Sequence, residues 1–252
     1  MRDPEFWRHE GIIPKLLSPL SAAWRAGTCF RNLTTTPRHP GCPVFCVGNF
    51  TVGGAGKTPT AVALYNLLTK LGRTPHFVSR GYGGSIEGPH RVDPDADTAA
   101  KVGDEPLLLA QHGPAWISRN RALGAEMARN AGANAIILDD GLQNPSLIKD
   151  CSFAVIDSSY GIGNGRVMPA GPMRESLISG LEKVRAIILI GDKTPEFIAH
   201  LPASVPVLRA GIEPINGAEF DQSRVLAFAG IGRPSKFYDS LRKAGAQIIQ
   251  TR

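Results

Sequence analysis

Beyond a Pro- and Thr-rich connector at Thr34–Pro43, short apolar runs alternate with longer mixed segments along the chain. The runs Val44–Val47, His76–Ser79, Ala135–Leu138, Phe153–Ile156, Ala186–Ile190 and Val225–Ala229 predict strands. Helical spacing of apolar residues predicts helices over Thr58–Leu71, Pro106–His112, Arg119–Ala131 and Ser235–Ala244. Strand then helix, repeated, is the pattern of βαβ units. Ala135-Ile136-Ile137-Leu138 has no polar alternation, so it reads as a strand buried on both faces, which favours a parallel sheet covered by helices on either side. The texture changes at Gly191–Asp221, where Pro195, Pro202, Pro206 and Pro214 interrupt the pattern. Gln247–Gln250 then reads as one more strand after a helix stop at Gly245. The expected division is a basic amphipathic segment over 1–40, a core over 41–190 and the start of a smaller C-terminal lobe over 191–252.

The N-terminal segment has its own periodicity. Leu16, Leu17, Leu20, Ala23 and Trp24 recur at helical spacing with Lys15 and Arg25 at the ends, a stripe that can pack on a core or lie in a membrane interface. Six cations face three acids in residues 1–40, so half of the chain's +6 charge sits there. An excess of that sign suits nucleotide, phospholipid surface and nucleic acid equally. No run reaches the roughly 18 apolar residues that span a bilayer, and Asp3, Glu5 and Glu10 spoil a signal-peptide layout, so a cytoplasmic location is expected. Four cysteines at irregular spacing predict free thiols, since Cys42-x3-Cys46 lacks the second pair a zinc site needs.

The strongest local chemistry is Thr51-Val52-Gly53-Gly54-Ala55-Gly56-Lys57-Thr58, set between a strand and a helix. Glycines let backbone N–H groups face phosphate oxygens at a helix N-terminus, with Lys57 on the β/γ-phosphates and Thr58 on Mg2+. Thr51 stands where the phosphate-loop pattern has its first glycine. Asp139 and Asp140 close a buried strand, the layout of carboxylates that hold Mg2+ beside a bound nucleotide. Arg80 follows another strand and opens at the same sheet edge, within reach of a phosphate. In the glycine-rich stretch Gly161–Glu175, Arg174 can neutralise a transferring phosphoryl group and Glu175 can assist the metal. Asp104 precedes a predicted helix, where it serves either as the N-cap or as the base that takes a proton from a substrate hydroxyl. Gly230-Ile231-Gly232-Arg233-Pro234 is a further strand-to-helix glycine turn.

Seven segments in order resemble the tetraacyldisaccharide 4′-kinase (lipid A 4′-kinase) family: Thr51–Pro59, Ser79–Gly83, Gly103–Pro106, Leu138–Gln143, Gly163–Arg166, Pro169–Glu175 and Phe228–Pro234. The resemblance implies a P-loop NTPase-type α/β fold with a mostly parallel sheet. It implies transfer of the ATP γ-phosphate to the 4′-hydroxyl of a tetraacylated glucosamine disaccharide 1-phosphate, with ATP and Mg2+ as cofactors. Asp104, Lys57 and Arg174 are then catalytic; Thr51–Thr58 and Arg80 bind nucleotide; Thr58, Asp139, Asp140 and Glu175 surround the metal. The implied setting is the cytoplasmic face of the bacterial inner membrane, with the N-terminal helix on the lipid surface, no nucleic acid and no obligate protein partner. Two departures accompany it. Asn144 stands where the family has histidine, and the family continues past the position of Arg252 to a histidine that partners the aspartate base. The competing expectations are a non-catalytic nucleotide-binding module or another P-loop ATPase or GTPase, although Gly191-Asp192-Lys193-Thr194 is not a guanine-recognition sequence.

Overall fold

The computed structural model describes residues 3–214, 217–229 and 234–251. In chain order the regular elements are α1 (Ile12–Thr34), β1 (Val44–Gly48), α2 (Lys57–Lys70), β2 (Pro75–Ser79), β3 (His90–Arg91), α3 (Ala99–Val102), α4 (Asp104–Ala110), β4 (Ala115–Ile117), α5 (Arg121–Asn130), β5 (Ala135–Asp139), β6 (Cys151–Asp157), α6 (Leu177–Leu181), β7 (Ala186–Ile190), β8 (Val207–Ala210), β9 (Arg224–Ala227), α7 (Pro234–Lys243) and β10 (Gln247–Thr251). Eight strands form one sheet in the order β3-β4-β2-β5-β1-β6-β7-β8, parallel except for β3 against β4.

The unbroken apolar runs are explained by two cores, one on each face. Along β5, Ile136 and Leu138 enter the core that also holds Cys46, Ala154 and the Ala122, Ala125 and Ala128 face of α5. Ala135 and Ile137 enter the opposite core with Val47, Val155, Ala61 and Leu68 of α2 and Leu109 of α4. Alternate residues point to opposite faces of a strand, so a run buried on both sides leaves no place for a polar residue. Polar residues reappear at the strand ends, which is where the site lies.

Parallel register decides which ends meet. Val47 pairs with Asp139 across β1 and β5, and Ser79 pairs with Ile117 across β2 and β4. The phosphate loop, the Asp139-Asp140 pair, Arg80 and the Ser118–Arg121 turn therefore open on one carboxyl-terminal edge. The main sheet runs on to β8 at Ala210, beyond the boundary expected at 191. The second sheet is only β9 and β10, parallel to each other and joined through α7 around Ala227, Leu241 and Ala246. Gly230–Arg233 of the last glycine turn lie outside the described residues.

α1 inverts the usual packing of an amphipathic helix. Its buried residues are Pro14 and Ser21, whereas Ile12 (76% exposed), Leu16 (73%), Leu20 (57%) and Phe30 (68%) face outward. Of the stripe anticipated from Leu16, Leu17, Leu20, Ala23 and Trp24, Leu17 is half-buried and the rest are exposed, so it is not a core face. Among the described residues, no helix is long and apolar enough to cross a membrane.

Leu138 has no exposed surface and sits between α5 and the sheet. Leu138→Ala is expected to lower the unfolding free energy by about 2–5 kcal/mol, measured as a fall in the urea midpoint with little change in slope.

Candidate active site

The phosphate loop is shaped by two left-handed glycines, Gly53 at φ 108 and Gly56 at φ 96, conformations that a β-carbon would strain. Gly56 caps α2, which begins at Lys57, so the N–H groups of the first turn have no intrahelical acceptor. Thr58 is the second helical residue and half-buried. The loop is braced from behind: Asn49 Nδ2 donates to the Gly53 carbonyl at 3.2 Å, and Val52 N donates to Pro172 O at 2.9 Å. Thr51 forms an isolated bridge with Met173. A threonine at the pattern's first glycine position is accommodated because it serves as a strand-like contact rather than a turn.

Beside the loop is a cavity of about 780 Å³ whose wall includes Lys57, Arg80, Asp139, Asp140 and Arg174. Lys57 is buried, its Nζ 3.9 Å from Asp140 Oδ2. Arg174 grips the same carboxylate with both arms, Nη1 to Oδ1 at 2.7 Å and Nη2 to Oδ2 at 3.0 Å. Burial alone would raise the Asp140 pKa, but Lys57 and Arg174 outweigh it and hold the carboxyl below its ordinary range. Its backbone is left-handed at φ 51, which Asp tolerates better than most residues.

Asp139 is the opposite case. It is 2% exposed, and neither carboxylate oxygen has a hydrogen-bond partner. Burial, followed by the negative charges of Glu105 and Asp140, pushes its pKa up to about 7 against the pull of Lys57. A carboxyl so placed is poised to accept a cation or a proton.

Asp104 is exposed, and its side chain makes no hydrogen bond among the described residues. It is not the N-cap that its sequence position suggested. Gly103 caps α4, and Asp104 is the first helical residue. Gly103 is needed there, because its φ is +90 and a β-carbon would lie 2.5 Å from Tyr82 O. The next residue, Glu105, lines the cavity, and its pKa is raised by desolvation against the opposing charge of Lys57.

Glu175 is not brought into the cavity. Its carboxylate accepts from Gln143 Nε2 at 3.1 Å and Ser179 Oγ at 3.2 Å and pairs with Lys183. It borders a second cleft between α1 and α6. The Glu175 to Gln143 contact has a purpose of its own: Gln143 Oε1 accepts from Arg174 Nη1 at 3.3 Å, so Glu175 orients the amide that steadies the arginine. Asn144 accepts from Ser146 N and Oγ, holding the turn that follows.

Several cavity residues escaped sequence reasoning. Tyr82 and Gln143 stood inside quoted segments without a role, and Arg119 and Arg121 follow β4, a three-residue strand too short to register as one. Arg121 is the notable one. It is 5% exposed, donates through Nη1 to Ser118 O at 2.9 Å, and its Nε has no partner. Burial, then Arg80, bring its pKa down to about 10, so it remains a desolvated cation facing Asp139 and Asp140.

Comparison with known proteins places the chain in a family. The family model described as tetraacyldisaccharide-1-P 4′-kinase matches residues 13–252. A tetraacyldisaccharide 4′-kinase of Rhodospirillum rubrum is 50% identical over 254 residues, covering 99% of this chain and 77% of the relative. One from Dinoroseobacter shibae is 48% identical over 262 residues, covering 100% of this chain and 77% of the relative. A crystal structure of LpxK from Aquifex aeolicus in complex with ATP superposes with a TM-score of 0.75 at 23% identity, covering 96% of this chain and 81% of that one, a likeness of fold. A family match over residues 13–252 and a relative half-identical across 99% of the chain lead to one conclusion: the chain belongs to the tetraacyldisaccharide-1-P 4′-kinase family.

Proposed function

We propose that this chain transfers the γ-phosphate of ATP to the 4′-hydroxyl of a tetraacylated glucosamine disaccharide 1-phosphate, the lipid A 4′-kinase reaction. The observation that carries the reading is the pairing of Lys57 and Arg174 on Asp140 at the mouth of a phosphate loop, which concentrates fixed positive charge where phosphoryl oxygens would lie. The phosphate loop Thr51–Thr58 cradles the nucleotide phosphates with its backbone, and Lys57 contacts the β/γ oxygens. Arg80 adds a cation from the facing wall. Asp104, unencumbered by hydrogen bonds at the start of α4, takes the proton of the acceptor hydroxyl. Arg174, held by Asp140 and Gln143, meets charge developing on the transferred group without having to be ordered first.

Mg2+ fits the residues present. Asp139, whose two carboxylate oxygens have no hydrogen-bond partner, would hold the ion, with Thr58 and Asp140 as the further ligands that the sequence pattern suggests. Among the described residues, no cluster of three or more His, Cys, Asp or Glu could hold a metal unaided. That suits an ion which keeps waters and takes its remaining ligands from substrate phosphates. When bound, Mg2+ neutralises charge between the β- and γ-phosphates.

The setting we infer is a bilayer surface, on the cytoplasmic face of the inner membrane. The outward stripe of α1 matches an acylated acceptor, and Lys15 and Arg25 flank it on a segment that carries excess positive charge. No nucleic acid is required to account for that charge. Leu16→Asp with Leu20→Asp is expected to lower cosedimentation with anionic vesicles roughly tenfold or more, each leucine contributing about 1.5–3 kcal/mol when buried. Undiminished cosedimentation would count against the interfacial reading.

Lys57→Ala is expected to abolish ATP-dependent phosphorylation of the disaccharide lipid while preserving the melting temperature. Asp104→Asn should reduce kcat at least a hundredfold, consistent with the worth of a general base, with ATP affinity unchanged. A variant at 104 that only melted earlier would remove it from the chemistry.

Asp139 makes a pH prediction for the protein in chelator, without nucleotide. Its folded pKa near 7 lies above the unfolded value of 3.8, so between these the native state binds more protons than the unfolded state. Stability from this group is therefore present at low pH and lost as pH rises through 7. Asp139→Asn should melt close to the parent at pH 4 and higher than it at pH 8. Each pKa unit corresponds to about 1.4 kcal/mol. Mg2+ with ATP should shrink the difference.

A further inference from the structure

The inward face of the N-terminal segment is polar, and it is bonded along almost the full length of the active-site loop. Trp7 Nε1 donates to Pro169 O at 3.0 Å, and Arg166 pairs with Glu10 at 2.8 Å and donates to Ser18 Oγ at 3.0 Å. Ser21 Oγ donates to Val167 O at 2.7 Å and accepts from Ala170 N at 3.2 Å. Further along α1, Trp24 Nε1 donates to Arg174 O at 3.1 Å and Arg31 donates to Gln143 O at 3.2 Å. Those last two carbonyls belong to the residue that clasps Asp140 and to the residue that steadies that clasp.

Between these attachments α1 stands away from the body. A cleft of about 520 Å³ separates Ala22, Ala26 and Leu33 from Ser176 and Ser179. Among the described residues no α1 side chain belongs to a hydrophobic core cluster, and the second half of the helix takes its position from Trp24, Arg31 and whatever covers the outward stripe. Trp24 is itself part of that stripe, 47% exposed, with its N–H bonded inward to Arg174 O.

We infer that Trp24 and Arg31 are positioning residues, through which seating of α1 on a lipid surface sets Arg174 and Gln143 for phosphoryl transfer. The inference rests on the interfacial reading above and goes beyond it. The bilayer then raises turnover as well as delivering the acceptor.

The test separates delivery from positioning by using an acceptor with its acyl chains removed, which stays in water. Wild type and Trp24→Phe are assayed with and without phosphatidylethanolamine–phosphatidylglycerol vesicles, at lipid concentrations where all of the protein cosediments. Phenylalanine keeps an apolar ring on the outer face and removes the N–H donor. Vesicles are expected to raise the wild-type kcat with KM for ATP unchanged. Trp24→Phe should lose roughly three- to tenfold of that gain, the range of a single hydrogen bond. Arg31→Met should act likewise on kcat; a change confined to the acceptor KM would make Arg31 a substrate contact and overturn its part.

Amide hydrogen exchange gives a readout that needs no turnover. Vesicles should slow exchange over residues 164–175 in wild type and leave it unchanged in Trp24→Phe. A wild type whose exchange and kcat are indifferent to vesicles, or a Trp24→Phe variant that keeps the full response, overturns the inference while leaving the kinase reading intact. Failure of the wild type to cosediment at all overturns the interfacial reading and this inference with it.

Discussion

The bidentate pair between Arg174 and Asp140, with Lys57 behind it, is the constraint around which the rest of the site is arranged. Two cations on one carboxylate leave a net positive charge on the cavity wall, an arrangement suited to binding an anion. The neighbouring Asp139 feels Lys57 too, but burial and the charges of Glu105 and Asp140 outweigh it and drive its pKa to about 7. One carboxylate is thus held ionised and the other poised near neutrality. The difference comes from a single step along the backbone, since Asp139 ends β5 inside the sheet and Asp140 turns out of it at φ 51.

The sheet serves this pair by register. Because β1 and β5 run side by side with Val47 opposite Asp139, the chain leaves β1 into the phosphate loop just where β5 presents its two carboxylates. The Arg174 segment reaches the same point without belonging to the sheet. Arg174 N donates to Phe50 O at 2.8 Å, and Val52 N donates to Pro172 O, so phosphate loop and arginine loop are bonded directly to each other. Displacement of either would be felt by the other.

What the sequence discloses here follows the range of each interaction. The phosphate loop and Asp139-Asp140 are short segments whose chemistry and strand context lie within a few residues, and both are legible. So were the central strands, whose apolar runs record burial on two faces. Asp104 was legible as a carboxylate at a helix start but misread in detail, since one residue separates a cap from a first-turn position and Gly103 takes the cap. Glu175 shares the glycine-rich Gly161–Glu175 stretch with Arg174, which suggests a metal ligand. Successive side chains need not face the same way, and this one turns to Ser179 and Lys183. Arg121 and the Trp24 bond depend on strand order and on residues 150 positions apart, which no local pattern encodes. The stripe on α1 was visible; that it points away from the protein was not, because periodicity gives the face of a helix and never what it faces.

The left-handed backbone at Asp140 carries an implication for what this position can tolerate over evolutionary time. Two filters act there independently: conformation, which Gly, Asn and Asp pass most easily, and charge, which only the acids pass. Their intersection is a single residue type. Glutamate fails the first filter, asparagine the second, so drift at this site has no neutral neighbour to move through.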